Sequence, residues 1–250
     1  MPAASVRAAA AAVTFLTRVP IGGALALDGG DVARGVLLFP VVGAGVGACA
    51  GGVAVLLHPS VPGLAAAGIG LGAAVLLTGA MHVDALADTV DAAGAHSRER
   101  ALEIMRDPRI GAFGASALVL DLLVKAAAVS LLLERGGAFS ALVAAGALAR
   151  VAPLPLAVGL PYPRAEKGPG SVLTGRVPGG MALVAVALAV GIAVAVGRET
   201  GLAMAGAVGV STIVLGLVYR RWLGGATGDC LGAATEVGET LALVVAAALS

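Results

Sequence analysis

Charge, aromatic rings, cysteine and histidine are all scarce in this chain. Asp, Glu, Lys and Arg make up 12% of its 250 residues, against about 25% in a soluble domain. So little polar surface excludes a water-soluble globule. The two cysteines, Cys49 and Cys230, exclude a disulfide framework, and neither sits in a Cys-x-x-Cys or Cys/His ligand spacing. Both read as small apolar residues. The three histidines form no HExxH pattern, which excludes that class of zinc protease. A net charge of +1 leaves no electrostatic footprint for nucleic acid. The first 20 residues lack a short apolar core followed by a small-residue cleavage site, so no cleaved signal peptide is expected.

Apolar and small residues fill the chain instead. Hydrophobic residues make up 59%, glycine contributes 38 positions, and the mean hydropathy is +1.00. Crossing a bilayer as a helix takes about 20 apolar residues. Runs of that length lie at 35–57, 62–82, 110–133, 138–160, 179–197, 201–219 and 230–249. The expected fold is an all-α, polytopic integral membrane helical bundle of about seven transmembrane helices. It forms a single catalytic domain over 1–250 in contact with the lipid bilayer. Residues 1–30 read as a cytoplasmic or interfacial segment, with Arg7 and Arg18 flanking a short apolar stretch. Gly43-x-x-x-Gly47, Gly47-x-x-x-Gly51 and Gly68-x-x-x-Gly72 offer faces that let helices approach closely. Pro153 and Pro155 are expected to break the fourth run.

The basic residues orient the bundle. With the N-terminus inside, twelve Lys and Arg fall on the cytoplasmic side and two, Arg135 and Arg198, outside; Lys125 and Arg150 lie within runs. That bias predicts a cytoplasmic N-terminus. It also puts the three longer polar connections, 83–109, 161–178 and 220–229, on the cytoplasmic side.

The richest of these begins with Asp84, Asp88 and Asp91. Their i, i+4, i+7 spacing puts three carboxylates on one helical face, directly after an apolar run. Clustered carboxylates repel one another unless a cation sits between them. Carboxylate oxygens with room left for phosphate oxygens suit Mg²⁺. Ser97 reads as the N-cap of a short helix that ends near Arg106. Asp107-Pro108-Arg109 then turns into the third run. Acids followed by arginines suit a phosphoryl or pyrophosphate site, where metal neutralises the leaving phosphate and guanidinium binds the rest.

Other positions carry two readings each. His82 is either a general base or an interfacial histidine. Asp121 and Lys125, at i, i+4, either pair with one another or line a polar cavity. Arg150 needs an anion, either Glu236 or Glu239 or a substrate phosphate. The Gly/Pro-rich stretch 160–171, containing Arg164, is a lid, an anion-binding segment or a plain connector. Asp229 either caps the last run or reaches the metal site from across the bundle.

The blocks His82-Val83-Asp84-Ala85-Leu86-Ala87-Asp88-Thr89-Val90-Asp91 and Arg98 through Arg106-Asp107-Pro108-Arg109-Ile110-Gly111-Ala112-Phe113-Gly114 resemble the cobalamin synthase family. So do Thr14 through Pro20, Phe39-Pro40-Val41-Val42-Gly43, Pro161-Tyr162-Pro163-Arg164, and Thr227-Gly228-Asp229-Cys230-Leu231-Gly232. The resemblance runs through nearly the whole chain in order. One departure is Ala85, where the family usually has glycine.

The resemblance implies a multi-pass enzyme of the cell membrane whose active site faces the cytoplasm. Such an enzyme joins adenosylcobinamide-GDP to α-ribazole or α-ribazole 5′-phosphate and releases GMP, with Mg²⁺ required. It implies metal binding by Asp84, Asp88, Asp91 and Asp107. Catalytic work falls to those first three acids with His82, and phosphate binding to Arg106, Arg109, Arg164 and Arg150. A homo-oligomer is compatible with it. The competing readings are an enzyme akin to the CDP-alcohol phosphotransferases with another acceptor, and a transporter. The transporter would run an ion path through Asp121, Lys125, Arg150, Glu236 and Glu239.

Overall fold

A computed structural model describes residues 3–21, 23, 25–164 and 169–250, together with every side chain among them except those of residues 169 and 170. Every regular element among the described residues is a helix. In chain order these are α1 (Ala4–Leu16), α2 (Gly29–Gly35), α3 (Phe39–Leu57), α4 (Gly63–Thr78), α5 (Met81–Ala92), α6 (Arg98–Ile104), α7 (Ala112–Glu134), α8 (Ala138–Ala149), α9 (Pro153–Gly159), α10 (Gly179–Trp222) and α11 (Gly228–Leu249).

Local chemistry sets several boundaries. Asp28 and Asp31 form a reciprocal capping box at the start of α2. The Ser97 hydroxyl accepts from the Arg100 N–H at 3.1 Å to start α6, and Thr227 accepts from the Cys230 N–H at 3.2 Å to start α11. Pro153 breaks the fourth run as expected. The chain leaves α8 at Ala149, turns through Arg150–Ala152 and re-enters a helix at Pro153. That break puts Arg150 at a helix end in the middle of the bundle.

α8 and α11 form the centre and are mostly buried. α3, α5, α7 and α10 pack around them, and α4 leans on α3 and α7. The outer helices expose large apolar residues such as Leu120, Leu183 and Ile213, as lipid contact requires. The α3–α8 seam uses the expected small-residue face. A Cβ on Gly43 would strike the Gly146 carbonyl, and one on Gly47 the Leu142 carbonyl. Gly68 and Gly72 face open space instead, so that third pair builds no seam.

By length and composition five helices can cross a membrane, or six if α4 and α5 count as one bent span, against the seven expected. One difference lies in α10. Two expected runs merge there into one 44-residue element with non-helical backbone at Arg198 (φ 51°, ψ −126°). A Cβ on Gly201 would strike the Ala193 carbonyl, so the two halves fold back on one another at that point. The other difference is α4, which is only 16 residues long and meets α5 at 90°. Gly79 and Ala80 make the corner, both in the left-handed region (φ 68° and 62°). The Arg18 N–H braces it by donating to the Leu77 carbonyl at 2.8 Å.

Candidate active site

The corner at Gly79–Ala80 decides where the acids of α5 point. It swings α5 out of line with α4 and lays it against α11 and α7. Gly232 makes the α5–α11 contact close, because a Cβ there would run into the Ala85 methyl. The extra carbon that Ala85 carries is therefore accommodated by a glycine on the facing helix.

The three acids of α5 have different surroundings. Asp84, in the first turn, is exposed and lines a cavity of about 250 Å³. Asp88 is half-buried and carries the electrostatic load of Asp84, Asp229 and Asp91, partly offset by Arg164. Asp91 spends both oxygens on backbone. It accepts from the Gly111 N–H and the Gly114 N–H, each at 2.7 Å. Those amides belong to the N-terminus of α7, where a carboxylate is favoured both as a cap and by the helix dipole. Gly111 and Gly114 are needed there because a side chain at either would collide with the Asp91 carboxylate.

Four chain segments add to the cavity. α11 brings Asp229 from its first turn, and the segment after α9 brings Arg164. The Arg164 guanidinium donates to the Asp229 carboxylate at 3.2 Å. Arg150 comes from the α8–α9 break, and Phe15 and Phe39 close another side from α1 and α3. His82 is buried and also lines the cavity. Proline-rich backbone steadies the Arg164 segment, since the Pro161 carbonyl accepts from the Ala226 N–H at 3.0 Å. The expected lid or connector continues through residues 165–168, which lie outside the described residues.

Behind the cavity lies a buried ionic cluster. Arg150 pairs with Glu239, and Lys125 with Glu236, while Lys125 also stands 3.4 Å from Asp121 and 3.9 Å from Glu239. Asp121 accepts from the Thr240 hydroxyl. Both expected partners are present: Asp121 sits beside Lys125, and Arg150 has a glutamate. His82 and Arg150 line this smaller space as well as the cavity, so they form the wall between the two.

The remaining expected residues lie elsewhere. Asp107 and Arg109 pair with each other at 2.6 Å on the segment between α6 and α7, and Arg109 is largely exposed. Hydrogen bonds from the Arg109 side chain and backbone hold the Asp107 carboxyl down at about 2. Asp107, Arg106 and Arg109 do not line the cavity. The structure therefore brings Asp84, His82, Arg150 and Arg164 together around the cavity and sets Asp88 and Asp91 along the same helix. It leaves Asp107, Arg106 and Arg109 on the flanking segment. Asp229 is the strongest addition, and its signal in the sequence is the Thr227-Gly228-Asp229 helix start. Phe15 and Phe39 carry no such signal, because an isolated phenylalanine in an apolar run reads as packing.

A hard divalent cation fits the donor chemistry. The carboxylates of Asp84, Asp88 and Asp229 supply only oxygen, and their mutual repulsion favours a bound cation. Among the described residues no three His, Cys, Asp or Glu groups converge into a closed metal cluster. Mg²⁺ characteristically takes one or two protein carboxylates and completes its shell with water and substrate phosphate. An open half-site of this kind is consistent with that habit.

Comparison with known proteins agrees with the geometry. The family model described as cobalamin-5-phosphate synthase matches residues 8–247. A protein of Klebsiella pneumoniae named adenosylcobinamide-GDP ribazoletransferase is 41% identical over 238 residues, covering 94% of this chain and 96% of the relative. An Escherichia coli protein of the same name is 38% identical over 239 residues, again covering 94% of this chain and 96% of the relative. No solved structure matches the chain. A match over nearly the full length makes this membrane-helical chain a member of the cobalamin-5-phosphate synthase family.

Proposed function

We propose that the chain transfers the cobinamide-bearing phosphoryl group of adenosylcobinamide-GDP to a hydroxyl of α-ribazole or α-ribazole 5′-phosphate, with release of GMP. The observation that carries this reading is one cavity in which Asp84 of α5 and Asp229 of α11 face Arg150 and Arg164. Two carboxylates opposite two guanidiniums suit a metal-assisted exchange at a pyrophosphate.

In the reaction the acceptor oxygen attacks the phosphorus attached to cobinamide. The bond from that phosphorus to the oxygen of GMP breaks, and GMP leaves with the electron pair. The hydroxyl proton goes to a nearby acceptor, for which the carboxylates and His82 are the available groups. Arg164 and Arg150 bind phosphate oxygens as planar forks, and their partners Asp229 and Glu239 hold them in place. Asp84 and Asp229 are the residues that would hold Mg²⁺, with Asp88 beside them. Mg²⁺, when bound, neutralises charge on the pyrophosphate oxygens. Asp91 has a positioning role, because it locks α5 to the start of α7.

The membrane setting belongs to the same proposal. The bias of basic residues supports a cavity that opens to the cytoplasm, where nucleotides are available, and residence in the cytoplasmic membrane.

The test is GMP release by purified protein given adenosylcobinamide-GDP and α-ribazole, across a Mg²⁺ titration. Mg²⁺-dependent GMP release with formation of the joined corrinoid is the expected result. Uptake of the substrate into proteoliposomes without product would support a transporter and overturn the reading.

A further inference from the structure

Part of the cavity is not used by the phosphoryl chemistry. Once Asp84, Asp229, Arg150 and Arg164 are assigned to phosphates and metal, most of what remains is apolar. Phe15 and Leu16 of α1, Phe39 of α3, and Met81, Pro153 and Leu173 line it. The Phe15 and Phe39 rings stack, with centroids 5.8 Å apart and planes 13° from parallel. Phe39 is fully packed at 1% exposure, so it fixes the orientation of the half-buried Phe15. Thr235, a neutral polar residue of the lining, already donates its hydroxyl to the Leu231 carbonyl at 3.2 Å.

We infer that Phe15 and Phe39 wall a subsite for the aromatic base of the acceptor nucleoside. This rests on the ribazoletransferase reading. It adds which substrate end enters the cavity. Ribazole carries a methylated benzimidazole, a flat and largely apolar ring system that suits aromatic and aliphatic walls. Guanine is the competing base. Its edge carries several donors and acceptors, and burying them without partners is costly. The apolar wall offers them no side-chain partner. Size points the same way. At about 250 Å³ the cavity lies below the roughly 300–1,000 Å³ typical for drug-sized ligands, which rules out enclosing a corrinoid. With its base against Phe15, the acceptor presents its ribose to the carboxylate and arginine groups, and the bulky donor stays outside except for its pyrophosphate.

The experiment is initial-rate GMP release by the purified enzyme, with both substrates varied. For Phe15→Ala we expect the KM for α-ribazole to rise about tenfold, the equivalent of one lost base stack. The KM for adenosylcobinamide-GDP should stay within about twofold, and kcat at saturation should hold, as for loss of uniform binding. Phe15→Tyr keeps the ring face and should restore the low KM. The wild-type enzyme supplies a measurement independent of folding. Free 5,6-dimethylbenzimidazole should inhibit competitively against ribazole and not against the donor.

A rise in donor KM with Phe15→Ala would place guanosine in the cavity and overturn the inference. So would unchanged KM values, which would leave the aromatic wall as packing or a lipid contact, and so would a free base that does not compete with ribazole. A wild-type enzyme that releases no GMP from the substrate pair would instead refute the underlying ribazoletransferase reading.

Discussion

Arg164 and Asp229 meet at 3.2 Å although 65 residues separate them in the chain. The contact ties the segment after α9 to the first turn of α11, and it does so at the cavity wall. Asp229 is thus placed as well as Asp84 to serve the pyrophosphate. Asp229→Asn keeps the shape and removes the charge. We expect it to lower kcat by roughly 10²–10³, the range for losing one preorganised electrostatic contact in an active site. Asp84→Asn should fall in the same range. Arg164→Lys keeps charge but loses the planar fork, and it should mainly raise the KM for the GDP substrate. Assays of GMP release with normalised protein levels check all three. A wild-type kcat for Asp229→Asn would remove that residue from the site.

Asp91 separates two roles that the three evenly spaced acids appear to share. Its oxygens serve the amides of Gly111 and Gly114, whereas Asp88 has no such anchor in its printed neighbourhood and carries the load of three other acids. Asp91→Asn removes the charge and one acceptor from the start of α7, which should cost about 1–2 kcal/mol of stability. Asp88→Asn relieves repulsion and should leave stability unchanged or raise it, while activity falls. Thermal unfolding in detergent can be followed with a thiol dye on buried Cys230, in a Cys49→Ala background because Cys49 is exposed. Equal melting temperatures for the two variants would contradict the division.

Much of this was legible in the chain, for identifiable reasons. Apolar run length and the basic bias depend only on composition along the sequence, so the helical membrane class was readable. The i, i+4, i+7 spacing of Asp84, Asp88 and Asp91 has period 3.6 and placed them on one face. The Gly43 and Gly47 seam was visible as a pattern, yet Gly68 and Gly72 fit the same pattern and face open space. Only a facing helix tells the two apart. Span count failed where backbone conformation decided it, at Arg198 within α10 and at the Gly79–Ala80 corner. Asp107, Arg106 and Arg109 follow the acids closely in sequence, but the turn at Pro108 holds them on a flanking segment. Asp229 lies 145 positions beyond Asp84 by residue number, and only tertiary packing joins them.

The Ala85–Gly232 contact gives a test of the α5–α11 seam. Gly232→Ala would put two methyl groups in one space, because a Cβ at 232 already collides with that of Ala85. The helices would have to separate, which moves Asp84 relative to Asp229. Overpacking of this kind typically costs about 1–3 kcal/mol. We expect a clear fall in melting temperature and in kcat. Adding Ala85→Gly removes the opposing methyl and should restore both in the double variant. A double variant no better than Gly232→Ala alone would show that some other neighbour causes the clash.

The buried ionic cluster makes the last prediction. Lys125 has 3% of its side chain exposed and is surrounded by the carboxylates of Glu236, Asp121 and Glu239. Arg150 is the other cation, paired with Glu239. Two cations therefore balance three acids inside a membrane bundle. Removing one side of such a pair leaves an uncompensated buried charge, which typically costs about 3–5 kcal/mol. Lys125→Met should then unfold at a markedly lower temperature and strain the Glu239–Arg150 pair that orients Arg150 toward the cavity. Replacing both partners with apolar residues of similar size is often neutral. Lys125→Met with Glu236→Met should recover most of the lost stability, since it deletes the acid that Lys125 holds most closely. Activity tells whether the cluster also positions Arg150. If the double variant is stable but binds adenosylcobinamide-GDP more weakly, the cluster positions the arginine. Wild-type stability of the single variant would mean that Lys125 does not hold the acids together.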